Sequence, residues 1–73
     1  MNRNTYQITE DILDTVLSSG EYGITITPLI RESNLPYKRA TGFINKLTQS
    51  NLINEVVVKD KKTFIITERG KVY

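Results

Sequence analysis

The sequence predicts one small α+β domain, mainly helical, in which three helices precede a β-hairpin. Three observations predict it. Apolar residues recur at helical spacing in residues 8–17 and again in 40–47. Asn34-Leu35-Pro36 interrupts the chain between two helical stretches. Val56-Val57-Val58 and Phe64-Ile65-Ile66 form two β-branched or aromatic runs with a charged segment between them.

Residues 1–7 read as a flexible polar arm with little to pack. The first helix then starts with Thr9 as cap and Glu10 and Asp11 at the positive end of its dipole. Ile8 and Leu13 fit a hydrophobic staple across that start. Ile12, Leu13, Val16 and Leu17 give the inward face, and Gly20 stops the helix. Gly23-Ile24-Thr25-Ile26 is too short for a helix and reads as a short strand or extended linker. Thr27-Pro28 opens a second, short helix, with Thr27 as cap and Pro28 at its first position. Leu29 and Ile30 face inward, and the helix ends near Ser33-Asn34.

Asn34 suits a tight left-handed turn, Leu35 plugs the gap between helices, and Pro36 pushes Leu35 out of the α region. Two helices joined by so short a turn make a helix-turn-helix. The third helix runs from Tyr37 to Ser50, with Ala40, Phe43, Ile44 and Leu47 as its buried stripe. At about 100° per residue the opposite face is Lys38, Gly42, Asn45 and Gln49. Thr41 lies on one flank of that face, Arg39 and Lys46 on the other. Asn51 takes the glycine's usual place after the helix end. Residues 53–59 and 63–67 are strands joined by a loop, Lys59-Asp60-Lys61-Lys62, long enough to need no glycine. Phe64, Ile65 and Val57 are read as core. Thr67-Glu68-Arg69-Gly70 begins a last helical turn. Three helices followed directly by a hairpin are the winged helix-turn-helix architecture.

Composition removes several function classes. The chain of 73 residues has no cysteine and no histidine. The usual general base, the commonest metal ligand and thiolate zinc sites are therefore missing, and no enzyme, cofactor or metal is expected. The first residues have no apolar h-region and no apolar run approaches ~20 residues, so an intracellular, cytoplasmic protein with no membrane partner is expected. The net charge of +2 is unevenly spread. Residues 1–36 carry Arg3 and Arg31 against Glu10, Asp11, Asp14, Glu21 and Glu32, a net of −3. Residues 37–73 carry Lys38, Arg39, Lys46, Lys59, Lys61, Lys62, Arg69 and Lys71 against Glu55, Asp60 and Glu68, a net of +5. A basic half joined to an acidic half points to a polyanion partner.

The segment NLPYKRATGFINKLTQSNLI, followed by FIITERGKVY, resembles the small archaeal winged helix-turn-helix transcriptional regulators. Leu35, Tyr37, Phe43, Leu47, Leu52, Ile53, Thr67, Glu68, Arg69 and Gly70 fill the places of that pattern, over roughly residues 8–73. Two features depart from it. Asn51 stands where relatives carry glycine, and the sequence ends at Tyr73, where many relatives continue into a longer helix that pairs two subunits. The homodimer expected here is therefore not assigned to the C-terminus.

The resemblance implies that the third helix enters the major groove of double-stranded DNA and that the hairpin tip, residues 59–62, touches a neighbouring backbone or the minor groove. The side chains suit those roles. Lys38 reaches a phosphate or a guanine edge, Asn45 pairs with adenine, and Thr41 meets a thymine methyl or donates a hydrogen bond. Gly42 costs about 1 kcal/mol of helix stability relative to alanine and lets the backbone approach a duplex. Tyr37, Arg39 and Lys46 are phosphate contacts, which set position rather than sequence. Lys59, Lys61 and Lys62 add phosphate contacts from the wing. Lys38 and Lys46 also read as solvated charges, Tyr37 as cover for the core edge and Gly42 as room for another helix to pack closely. Asn45 on an exposed face means little by itself, and a lysine-rich hairpin tip also discourages strand-edge aggregation. Arg3 and Asn4 are candidates for a minor-groove contact. A transcription regulator acting as a homodimer, with no small-molecule effector, is the expectation. A winged-helix protein-interaction module of a nucleoprotein assembly is the alternative, and RNA binding a third reading.

Overall fold

The computed structural model describes residues 3–73 and follows the predicted order. Helix α1 (Thr5–Ser18) and a short 3-10 turn (Gly20–Tyr22) precede strand β1 (Ile24–Thr25). Helices α2 (Ile26–Ser33) and α3 (Tyr37–Gln49) follow, then strands β2 (Ile53–Val58) and β3 (Lys61–Ile66) and the single turn α4 (Glu68–Lys71). The three strands form one antiparallel sheet in the order β1-β3-β2. Ile24 sits opposite Phe64 on the inner edge, which makes β1 a true strand rather than a linker. The core lies between the helices and this sheet. Ile8, Ile12 and Val16 of α1 meet Leu29, Ile44, Ile53 and Phe64, all nearly solvent-free.

Helix α1 starts a full turn earlier than its apolar pattern suggests, and the polar arm is much shorter than predicted. Asn4, not Thr9, is the cap. Its Oδ1 accepts from the Gln7 N–H at 2.8 Å, and Gln7 Oε1 accepts from the Asn4 N–H at 2.9 Å. This reciprocal capping box satisfies two backbone donors at once, and it displaces the Ile8–Leu13 staple. Arg3 is tied down as well. It donates to Asp11 Oδ2 at 2.7 Å and to the Ser33 carbonyl at 2.6 Å, at the negative end of α2. Arg3 and Asn4 therefore serve the fold and are not a free arm for the minor groove. Residues 1 and 2 of the predicted arm lie outside the described residues.

Other expectations shift by a residue or two. Helix α2 begins at Ile26, so Thr27 is not its cap and Pro28 sits at its third position. Proline is accepted there because N–H groups of the first turn have no helical partner. Leu17 is 45% exposed, at the border of the buried face of α1 beside Gly70, Lys71 and Tyr73. Val57 is 68% exposed rather than core, because the hairpin projects beyond the helices that would cover it. The Lys59–Lys62 loop is in fact a two-residue turn. Lys59 and Asp60 both adopt left-handed conformations, φ 52° and 64°, and Val58 pairs with Lys61. That is the geometry of a type I′ hairpin, whose twist matches the flanking strands.

The turn between α2 and α3 forms as expected. Asn34 is left-handed at φ 56°, and Leu35 packs against the core. The far end of α3 is locked more firmly. The N–H of Leu52 bonds the Leu47 carbonyl at 3.0 Å and that of Asn51 bonds Thr48 at 3.1 Å, with Asn51 left-handed at φ 61°. This is a Schellman closure, and both Leu47 and Leu52 are buried beside it. The Thr67 hydroxyl lies 2.6 Å from the Asn51 carbonyl and 3.0 Å from that of Leu52, and it accepts from the Gly70 N–H at 2.9 Å. Gly70 lies against the Leu52 carbonyl and Ile66. A Cβ there would overlap the carbonyl oxygen and come within 2.7 Å of Ile66 Cδ1. The Thr-Glu-Arg-Gly signature thus clamps the sheet and α4 to the end of α3.

Candidate nucleic-acid interface

The outer face of α3 follows from its helical period. Ala40, Ile44 and Leu47 point into the core, so Lys38, Gly42, Asn45 and Gln49 point out and are exposed. Arg39 and Lys46 occupy the flank beside the start of α1. Tyr37 and Thr41 occupy the flank beside the hairpin. The Thr41 hydroxyl donates to the Lys38 carbonyl one turn back at 3.0 Å, which leaves its methyl and an acceptor for an outside partner. Gly42 sits at the middle of the stripe. A Cβ built on it meets nothing within 4 Å, and its φ is an ordinary helical one. Neither packing nor backbone conformation within the chain requires a glycine here.

Two grooves flank the stripe. One, of about 320 Å³, lies between α1 and α3. Thr5 and Thr9 form one wall, Phe43 and Leu47 line the bottom, and Lys38, Arg39 and Lys46 are its cations. The other, of about 270 Å³, lies between α3 and the hairpin, where Tyr37, Thr41 and Asn45 face Glu55 and Lys62. The strand register explains which wing residues take part. Val57 pairs with Lys62 and Glu55 with Phe64, so all four share the face that carries the core. Lys61 is one residue off that register. By alternation it turns to the opposite face, and both Lys61 and Lys62 border a groove with Thr25, Ile26 and Thr27 at the start of α2. The wing lysines are therefore divided between two faces rather than gathered at one tip.

Electrostatics keep the face open. Among the described residues the ion pairs are Arg3–Asp11 and Lys71–Glu68. Lys38, Arg39, Lys46, Lys59, Lys61 and Lys62 are in neither, and all are exposed. The N-terminus of α3 also lacks a side-chain cap. Pro36 stands at the cap position, the first turn has no acidic residue, and the first helical bond runs from the Ala40 N–H to the Pro36 carbonyl at 2.9 Å. The N–H groups of Tyr37, Lys38 and Arg39 precede that bond. Placing Lys38 and Arg39 at the positive end of a helix dipole opposes the helix but favours an anion.

The structure brings Tyr37, Lys38, Arg39, Thr41, Gly42, Asn45, Lys46 and Lys62 onto or beside one surface. Lys59 stands at the hairpin turn and Lys61 behind it. Glu55 escaped the sequence reading. Its place opposite Phe64 is a property of strand register, which the two-residue turn sets. Among the described residues no group of His, Cys, Asp and Glu could hold a metal ion. No helix among them is long and apolar enough to cross a membrane.

The comparisons with known proteins agree with this architecture. The solved structure of Sso10a-2, a DNA-binding protein from Sulfolobus solfataricus, superposes with a TM-score of 0.79 at 28% identity. The match covers 96% of this chain and 70% of that one. No curated protein matches. A family model described as winged helix-turn-helix matches residues 2–72. The chain belongs to the winged helix-turn-helix family.

Proposed function

We propose that this protein binds double-stranded DNA sequence-specifically and regulates transcription as a homodimer, with α3 in the major groove and the wing on the backbone or minor groove. One observation carries the reading. The exposed stripe of α3 is bordered by cations that make no ion pair among the described residues, and a glycine whose Cβ position is open lies at its centre. The structural similarity to Sso10a-2, described as a DNA-binding protein, supports the same partner. Asn45 reads an adenine edge, Thr41 a thymine methyl, and Lys38 a guanine edge or a phosphate. Tyr37, Arg39 and Lys46 hold phosphates, helped by the uncapped start of α3. Glu55, facing Asn45 across the groove, accepts from a cytosine amino group and repels a misplaced backbone. The dimer follows from size, because a single module of this kind covers about 600–1,000 Å² on DNA.

Two substitutions test the proposal by duplex titration. Asn45→Ala lowers discrimination between sites more than it lowers bulk affinity. Lys62→Ala, on the wing face turned to α3, weakens all duplexes about equally and reduces the salt slope by about one. Wild-type behaviour from both variants at low salt would instead favour a protein-interaction module.

A further inference from the structure

We infer that the groove between α1 and α3 binds a small aromatic carboxylate, and that this ligand and the duplex exclude one another. Three observations converge on it. The first is the floor. Phe43, expected in the buried stripe, is only half-buried, and with Leu47 it lines the bottom of the recess of about 320 Å³. Small-molecule sites of that size are mostly apolar with a few placed polar groups. A charged phosphate backbone gains nothing from an apolar floor.

The second observation is Thr9 on the wall. It is only 8% exposed. The hydroxyls of Ser19, Ser33 and Thr48 each return to a carbonyl one turn back, at 2.6, 2.6 and 2.8 Å. That of Thr9 makes no hydrogen bond among the described residues. No side-chain oxygen among them is both fully buried and unpartnered. The Thr9 oxygen therefore opens to solvent, and the opening that Thr9 lines is the groove. The third observation is charge. Lys38, Arg39 and Lys46 border the groove without an ion pair among the described residues, and none of its lining residues is acidic.

An aromatic carboxylate meets all three. Its ring lies along Phe43 and Leu47, where an aromatic pair gains beyond the area buried. Its carboxylate meets the Arg39 guanidinium, whose fork fits a planar anion, or an ammonium group of Lys38 or Lys46. The Thr9 hydroxyl donates to the ligand from the wall. The same three cations hold phosphates in the proposed function, and on that reading ligand and duplex compete for them. This departs from the expectation of no small-molecule effector, because α1 and α3 form the groove only when they pack together.

The probe is naphthoate, titrated into the full chain without DNA and followed by amide chemical shifts. Circular dichroism shows that each variant is folded. Saturable binding is expected with a Kd below about 1 mM, and with the largest shifts around Thr9, Phe43 and Leu47. Neutral naphthalenemethanol should bind at least about tenfold more weakly. Thr9→Val keeps the shape but removes the hydroxyl. It should weaken naphthoate about fivefold and leave duplex affinity unchanged. At constant ionic strength, naphthoate should release duplex from the wild type at lower concentration than from Thr9→Val. A wild type without saturation, shifts that lie elsewhere, or an alcohol that binds as tightly overturns the inference. So does a Thr9→Val variant that binds naphthoate unchanged, or a duplex that stays bound at saturating naphthoate. The first titration contains no DNA, so failure of the groove is distinguishable from failure of duplex binding.

Discussion

Gly42 and Gly70 sit on or near the same helix and teach opposite lessons. Gly70 lies at the corner where α4 crosses the end of α3, with the Leu52 carbonyl against its Cα. That corner is closed. The Schellman bonds, the Thr67 hydroxyl and two buried leucines leave no room for a methyl group. Gly42 lies on the outer face of α3, where a methyl group would touch nothing. That face is open, uncapped at its start, and crowded with like charges. One region gives up chemical freedom for stability. The other carries choices that weaken the helix and that no contact within the described residues repays.

The contrast can be broken in order of effect. Gly70→Ala should cost about 3 kcal/mol by overpacking, and lower Tm by roughly 12–24 °C. A scan that shows little change would mean the corner is not closed. Gly42→Ala should act with the opposite sign on stability. It should gain about 1 kcal/mol and raise Tm by roughly 4–8 °C while duplex affinity falls. Unchanged affinity beside that gain would remove the argument for close backbone approach. The smallest effect is expected at the wing. Lys59 adopts a left-handed conformation that asparagine tolerates better. Lys59→Asn should therefore stabilise the chain by about 0.5 kcal/mol in a denaturant titration. It should also weaken duplex binding through the lost cation. Open-face changes that raise stability and lower binding together would sharpen the division drawn by the two glycines.

Much of the fold was legible in the sequence because it rests on local physics. The third helix announced itself through Ala40, Ile44 and Leu47 at helical spacing, and it ends within one residue of its predicted limit. Asn34 and Asn51 were read as left-handed from residue type, and both are. The misreadings have local causes too. Asn4 and Gln7 are spaced as a capping box, but the apolar pattern starts only at Ile8, and that pattern alone places the helix start there. Lys59-Asp60 lacks the glycine that advertises a tight type I′ turn, so residue type alone predicts a longer loop than the two-residue turn that forms. Val57 reads as core in any strand pattern, and only the reach of the hairpin beyond the helices exposes it.

The candidate site divides the same way. Helical period alone set Lys38, Gly42 and Asn45 on one outward stripe, because neighbours on a helix face are determined by spacing. Which partners that stripe would have was decided only in three dimensions. Strand register turned Lys62 and Glu55 toward α3 and Lys61 away. A one-residue slip of either strand would reverse which of its side chains face α3, since side chains alternate along a strand, whereas the unpaired edge of β2 follows from the strand order. The amino-acid sequence by itself determined the elements and the faces of the helices, through short-range sterics and burial. The tertiary structure decided the grooves, the division of the wing lysines and the closed corner at Gly70, because these depend on contacts between residues far apart in the chain.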